Sequence, residues 1–174
     1  MSDFQRSVDF VLKEEGGFVD NPDDRGGPTN MGITQATLGE FLGKPVTAEE
    51  VKDLPLETAK DIYHRNYWDQ LHLDDIGDSA LATVCFSLAV LKGVPTVVRA
   101  IQQACGVPVD GRMGARTLQA FRGNASVRAA VLAKQIIFMA QRQCAELVVS
   151  DPTQLKFLLG WMDRMQNLLG LVLE

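Results

Sequence analysis

The chain has 174 residues, 46% of them apolar, and its 17 basic and 22 acidic side chains give a formal charge of −5. This length fits one domain or two small lobes, and the composition is that of a globular protein, not a disordered one. The acidic balance disfavours a nucleic-acid partner, because binding to phosphates requires a surplus of Lys and Arg. Cys85, Cys105 and Cys144 are widely spaced and odd in number, which favours reduced thiols over a disulfide framework.

The start of the chain has no basic region followed by a long apolar stretch. The longest apolar-rich segment, residues 80–94, is shorter than the ~20 residues that cross a bilayer. We therefore expect a protein made in the cytoplasm without a signal peptide and without stable membrane insertion.

Hydrophobic periodicity and capping residues predict a mainly α-helical protein. Thr34 is an expected N-cap, and Thr47-Ala-Glu-Glu50 has the capping-box pattern. The turn-rich stretch 16–33 predicts an ordered loop or a short β-hairpin after the first helix. The predicted helices span approximately residues 3–15, 35–42, 47–54, 56–70, 78–92, 95–104, 114–121, 125–149 and 153–171.

Glu15 is the most informative candidate for chemistry. On a helical wheel it falls in the middle of the apolar stripe of Phe4, Val8, Val11 and Leu12. Burial and the partly negative helix end both disfavour a charged carboxylate, and a carboxyl that keeps its proton is suited to general-acid catalysis. The alternative is a helix-end carboxylate bonded to loop amides.

The loop after Glu15 offers partners for such an acid. Cleavage of a glycosidic bond needs an acid on the leaving oxygen and a second group that positions water or attacks directly. Asp24 can position the water, and the hydroxyl of Thr29 can help to hold it. Asp20 and Asp23 are alternatives that also suit turn formation.

The sequence indicates no metal or cofactor site. A calcium loop that starts at Asp20 places Pro22 at a ligand position and Arg25 at the glycine position. His64 and His72 have no neighbouring Cys or His cluster that suits zinc, and no phosphate-binding or dinucleotide glycine pattern occurs.

Aromatic residues cluster near the end of the predicted helix 56–70. Tyr67 and Trp68 are candidate sugar contacts, because aromatic faces suit the apolar C–H surfaces of sugar rings. Helical spacing puts Tyr63 and Tyr67 on one face, which is equally compatible with a core position. Trp161 is expected in the core.

Two segments of the chain resemble the signature of glycoside hydrolase family 108, the phage-type and bacterial N-acetylmuramidases that include secretion activator proteins. They are Glu15-Gly-Gly-Phe18 and Asp20-Asn-Pro-Asp-Asp-Arg-Gly-Gly-Pro-Thr-Asn-Met-Gly-Ile-Thr34. Residues 62–68 look like the family's next block, and Asp110-Gly-Arg-Met-Gly-Ala-Arg-Thr117 is similar to the predicted peptidoglycan-binding module that usually follows.

The resemblance implies a lysozyme-like fold that hydrolyses the β-1,4 bond between N-acetylmuramic acid and N-acetylglucosamine, without metal or cofactor. Residues 1–92 are then the catalytic region, and residues 93–174 resemble the peptidoglycan-binding module. Glu15 stands at the position of the family's catalytic acid. The Glu…Asp…Thr order of phage-type lysozymes supports Asp24 and Thr29.

Two expectations follow for the reaction and its substrate contacts. Asn30, in the signature, joins Tyr67 and Trp68 as a candidate substrate-binding residue. Inversion at the anomeric carbon is the expected outcome, because a short Asp on a loop leaves room for a water between the two carboxyl groups.

The chain departs from the family's pattern in its central helix. Ser87 and Leu91 stand where members usually carry an Asp and an Asn. The alternative function is therefore a catalytically weak or inactive wall-binding or secretion-assisting protein on the same fold. Action in the periplasm or cell wall requires release or export, so a holin or a secretion system is an expected partner.

Overall fold

The structure is a computed structural model that describes residues 3–20 and 27–174. Within these ranges the chain forms eight α-helices and one small two-stranded sheet, so the predicted mainly α, lysozyme-like fold is confirmed. The helices are α1 (Asp3–Glu14), α2 (Gln35–Leu42), α3 (Ala48–Lys52), α4 (Leu56–Tyr63), α5 (Ser79–Lys92), α6 (Val94–Cys105), α7 (Ala115–Ser150) and α8 (Leu158–Leu173). The strands are β1 (Thr29–Asn30) and β2 (Ile33–Thr34).

Three 3-10 turns and one π-helical turn complete the described structure. The π-helical turn, His64–Trp68, follows α4 directly, and the 3-10 turns are Asp69–Leu71, Leu73–Asp75 and Pro152–Phe157. No helix in the described ranges has both the length and the apolar character that a membrane span needs.

One predicted helix boundary is displaced. The sequence predicts a break between residues 121 and 125, whereas α7 continues through this segment and has its non-helical backbone at Arg128 (φ −147°, ψ 40°). Asn124 lies within the helix, and its side-chain amide donates to Ala120 O. The guanidinium of Arg128 binds Asn124 Oδ1 and Ala104 O. These bonds hold the chain at the kink.

The chain divides into two compact units. The smaller one comprises residues 8–66, and the larger one comprises residues 67–174 with the described part of residues 1–7. The boundary predicted after residue 92 separates a catalytic region from a peptidoglycan-binding region, not two compact units, and it stays a prediction.

The smaller unit is built on caps that the sequence predicts. The hydroxyl of Thr34 accepts a hydrogen bond from Thr37 N at the start of α2. Thr47 and Glu50 form the reciprocal capping box of α3. The β1–β2 hairpin is antiparallel, with Thr29 opposite Thr34 and Asn30 opposite Ile33, and an isolated bridge pairs Val19 with Thr29.

The larger unit is a helical assembly in which α5 packs against α6, α7 and α8. Every residue of α5 from Leu81 to Ala89 is buried. Cys85 and Cys144 are buried, Cys105 is half-buried, and all three thiols are free, as the sequence predicts. Burial raises the pKa of the Cys85 thiol far above its ordinary value, so this side chain is an inert apolar group.

A single buried amide organises the loop between α6 and α7. Gln102 is 1% exposed; its Nε2 donates to Asp110 Oδ1, Arg112 O and Thr117 Oγ1, and its Oε1 accepts from the backbone N–H groups of Asp110 and Gly111. The Gln102 bond and the Arg112 N–H hold the pKa of the Asp110 carboxyl below its ordinary value. This network accounts for Asp110, Gly111 and Thr117 in the Asp-Gly-x-x-Gly-x-x-Thr pattern of residues 110–117.

Candidate active site

Glu15 lies immediately after the last residue of α1 and continues its hydrogen-bond pattern, because Glu15 N donates to Val11 O at 3.0 Å. Its side chain is half-buried, whereas Gly16 and Gly17, which follow it, are exposed. The carboxyl group therefore belongs to the edge of the packed structure, where a group can be held in place and still meet a ligand.

The hairpin that approaches this carboxyl has an unusual turn. Its two central residues, Met31 (φ +48°) and Gly32 (φ +71°), both have left-handed backbone conformations, which are those of a type I′ turn. Gly suits such a position, but a methionine there is strained. Strain of this kind often marks a functional site.

Gly32 is the point where the carboxyl, the hairpin and α4 meet. A Cβ atom at Gly32 would lie 2.5 Å from Tyr63 Oη and 2.9 Å from Glu15 Oε2. Only a hydrogen atom fits in that space. Three distant parts of the sequence thus converge here, each contributing one residue.

Tyr63, at the end of α4, is fully buried, and its hydroxyl donates a hydrogen bond of 2.8 Å to Met31 O. The bond ties α4 to the strained turn. The sequence singles out Tyr63 only as an aromatic residue compatible with the core, so its role beside Glu15 is missed.

Thr29 and Asn30 lie on β1. The Thr29 hydroxyl is half-buried and donates to Gly27 O at 3.1 Å, which leaves its oxygen as an acceptor. Asn30 is 8% exposed, and its amide nitrogen donates to Val51 O and Lys52 O at the end of α3. Asn30 therefore anchors the hairpin to α3, and its predicted substrate contact finds no support in this position.

The predicted acidic partners of Glu15 are divided between described and undescribed parts of the loop. Asp23 and Asp24 lie outside the described residues. Asp20 is exposed and follows Val19, whose backbone N–H and C=O both pair with Thr29. Val19 and Thr29, the paired residues on either side of residues 20–28, thus lie next to each other.

The two aromatic residues predicted to contact sugar belong to the larger unit. Trp68 is fully buried, its ring packs edge-on against Phe4 and Phe86, and its Nε1 donates to Asp74 Oδ1 at 2.9 Å. Trp68 is thus a core residue with no ring face open to a sugar, which corrects the predicted contact. Tyr67 is half-buried with its ring centroid 6.5 Å from that of Phe86, so a sugar contact there stays a prediction.

Ser87 and Leu91, the departures from the family's pattern, both lie on α5. Ser87 is fully buried, and its hydroxyl has no hydrogen-bond partner among the described residues. Leu91 is half-buried. The side chain at position 87 therefore faces the protein interior, and a change of residue there alters core packing directly and ligand contacts only indirectly.

The fold is that of the lysozyme-like proteins, and a half-buried carboxyl at the edge of a unit suits the glycoside hydrolases of this class, in which a carboxylic acid protonates the glycosidic oxygen. Comparison with known families agrees. The family model described as glycosyl hydrolase 108 matches residues 8–93, and the one described as a predicted peptidoglycan domain matches residues 96–166.

A solved structure extends the match to nearly the whole chain. The structure of SagA from Brucella abortus is 33% identical, with a TM-score of 0.81, over 98% of this chain and 93% of SagA. The comparison with curated proteins gives no match. The chain belongs to glycoside hydrolase family 108 and is a peptidoglycan hydrolase of the N-acetylmuramidase type.

Proposed function

We propose that Glu15 is the general acid with which this hydrolase cleaves the β-1,4 bond between N-acetylmuramic acid and N-acetylglucosamine. The observation that carries the proposal is the meeting of the half-buried Glu15 carboxyl with the hairpin turn at Gly32, where its Oε2 has a buried phenol as a neighbour. The proton moves from Glu15 to the glycosidic oxygen as the bond from that oxygen to the anomeric carbon breaks.

Asp24 is the proposed second carboxyl, which positions the water that adds to the anomeric carbon and takes up its proton. Its support is the loop closure between Val19 and Thr29, whose backbone bonds of 2.8 and 2.9 Å hold both ends of the Asp24 segment at the hairpin. The Thr29 oxygen, which remains an acceptor, is suited to hold the same water.

This arrangement implies inversion at the anomeric carbon, since a water between two carboxyl groups requires a separation of about 6.5–9.5 Å. NMR of freshly formed products checks it. An α-anomer as the first product is the expected result, and a β-anomer contradicts the assigned role of Asp24.

Glu15→Gln tests the general acid directly. The amide keeps the size of the side chain but cannot donate a proton as a carboxylic acid does, so turnover of purified peptidoglycan should fall by about 10²–10⁴-fold. The matched control is Glu14→Gln, which makes the same carboxyl-to-amide change one residue earlier and should retain activity within a few-fold.

Zymography and release of reducing ends measure both variants. Equal clearing by the wild type and Glu15→Gln contradicts the proposal. Absence of clearing by all three proteins, with retained sedimentation with insoluble cell wall, favours the alternative of a wall-binding or secretion-assisting protein that has lost catalysis.

We further propose that a holin or a secretion system delivers the chain to the periplasm or cell wall, where its substrate lies. Fractionation of cells that express the protein with and without a candidate holin tests this route. Equal amounts outside the cytoplasmic membrane in both strains contradict a holin requirement.

A further inference from the structure

A cavity with an apolar floor lies in the smaller unit, where α2, α3 and the start of α4 come together. Its volume is about 410 Å³, within the range of small-ligand pockets, and all the residues that line it fall between positions 38 and 58. Leu38 and Leu54 are buried in its floor, whereas Leu42 is 45% exposed. The cavity thus offers apolar surface to a ligand that enters from solvent.

The polar part of the cavity is acidic. Glu49, Glu50 and Asp53 contribute three carboxyl groups to its lining, and the lining includes no basic side chain among the described residues. Glu50 already has partners, since Lys44 Nζ donates to its Oε1 at 2.7 Å and Thr47 N donates to its Oε2 at 2.8 Å. Glu49 and Asp53 are therefore the carboxyl groups that a ligand meets.

These two carboxyl groups suit a cation. Glu49 Oε1 lies 3.7 Å from Lys52 Nζ, but the two side chains are 74% and 54% exposed, so this ion pair is weak. Asp53 is exposed at the end of α3, and Thr58 on α4 adds a half-buried hydroxyl to the lining. Two carboxylates and a hydroxyl supply acceptors for the three N–H donors of an ammonium group. The leucines below them suit its aliphatic chain.

We infer that this cavity binds the free amino group of the diamino acid in the peptide that peptidoglycan carries on its muramic acid residues. Peptidoglycan is the substrate of this hydrolase. The other amino groups of that peptide form amide bonds, so this aliphatic amine is the cation of every peptide that is not cross-linked. The inference goes beyond the proposed reaction at Glu15, because it concerns the peptide and not the glycan.

The cavity shares its scaffold with the hairpin. The Asn30 side chain, on β1, donates to Val51 O at 3.1 Å and to Lys52 O at 2.8 Å, both in α3. Val51 is itself fully buried. The helix that carries Glu49 is thus fixed to the hairpin that approaches Glu15, so a peptide bound at α3 helps to place the glycan attached to it.

Calorimetric titration of the full chain with an N-acetylmuramyl tripeptide that ends in meso-diaminopimelate tests the inference. The only free amino group of this probe is that of its diamino acid. It contains no β-1,4 bond, so binding is measured without turnover. Acetylation of the amine should raise Kd at least about tenfold, because hydrogen bonds between charged groups are lost.

Asp53→Asn removes one carboxylate and keeps the shape of the side chain. The Kd of the free-amine probe should rise about fivefold, the upper end for an exposed ion pair, while the Kd of the acetylated probe stays the same. Asp61→Asn is the matched control, because Asp61 is an exposed aspartate of α4 that does not line the cavity. It should leave both dissociation constants unchanged.

Three results would overturn the inference: no binding of the free-amine probe, equal Kd values for the free and acetylated probes, or a wild-type Kd in Asp53→Asn. Binding of 1,5-diaminopentane as tight as that of the muramyl tripeptide would overturn the assignment to peptidoglycan, since any aliphatic amine would then serve. The acetylation comparison needs no variant, so it decides the question even if Asp53→Asn does not fold. The turnover of Glu15→Gln is a separate measurement, so either idea can fail without the other.

Discussion

The hairpin turn at Gly32 and the loop at Gly111 both require a residue without a Cβ atom, but the polar side chains beside the two glycines differ in burial. Both glycines have a positive φ, +71° and +76°, and at both a Cβ atom would meet a polar side chain. At Gly32 the nearest atom is Tyr63 Oη at 2.5 Å, and at Gly111 it is Arg99 Cζ at 3.0 Å.

The two loops differ in how deeply the polar side chains beneath them are buried. Gln102, under the second loop, is 1% exposed and makes five hydrogen bonds within its own unit. Under the first loop, Glu15 remains half-buried beside a phenol whose proton is already used. A fully buried network stabilises a fold, whereas a half-buried carboxyl can still meet a ligand. Two similar glycine motifs are thus suited to stability in one unit and to the proposed reaction in the other.

Gly32→Ala should produce the largest effect. The methyl group must displace Tyr63 or Glu15, and the positive φ adds about 1–2 kcal/mol of strain. We expect activity per folded molecule to fall at least about 100-fold, comparable to the loss of a general acid. Peptidoglycan turnover, normalised to the folded fraction from circular dichroism, measures it.

Gly43→Ala separates strain from displacement. Gly43 ends α2 with φ +68°, and nothing lies within 4 Å of its would-be Cβ. This variant should lose similar stability to backbone strain but keep its activity per folded molecule. Equal activity losses in both variants would contradict the idea that a Cβ atom at Gly32 acts by displacing Tyr63 or Glu15.

Gln102→Met should affect stability and leave the chemistry at Glu15 unchanged. Methionine keeps the volume but removes the acceptor of the Asp110 and Gly111 N–H groups and the donor to three oxygens, at a cost of about 3 kcal/mol. Urea unfolding measures the loss. The exposed neighbour offers a control, Gln103→Met, which should change the free energy of unfolding by less than about 0.5 kcal/mol.

Local structure in this chain follows from local sequence. The caps at Thr34 and Thr47 lie where their hydroxyls and the Glu50 carboxyl predict them, because capping is decided within four residues. The turn of the hairpin, Met31 and Gly32, falls within the turn-rich stretch 16–33 for the same reason. Glu15 is found on the wheel because periodicity reports which face a residue occupies.

Partners that are distant in sequence are not encoded in these patterns. Periodicity predicts that Tyr63 is buried but carries no information about Glu15 or Met31. The prediction for Trp68 fails because an aromatic residue near a polar motif can either pack in the core or contact a sugar. Trp68 packs in the core, where its ring contacts Phe4 and Phe86. The α-helical spacing assumed for Tyr63 and Tyr67 also ends at His64, where the chain takes π-helical geometry with more residues per turn.

Met31→Asn should produce the smallest effect and the most specific one. Asparagine tolerates the left-handed conformation at the first central position of a type I′ turn, so replacing Met31 (φ +48°) should stabilise the protein by about 1 kcal/mol. Met113→Asn is the control, because Met113 is a loop methionine without a positive φ and should bring no gain. A loss of stability in Met31→Asn would mean that packing of the half-buried methionine outweighs its strain. A gain would show that the turn is strained at Met31, whose carbonyl accepts the hydrogen bond from Tyr63. The Gln102 loop carries no comparable strain, because its positive φ angles occur only at glycine.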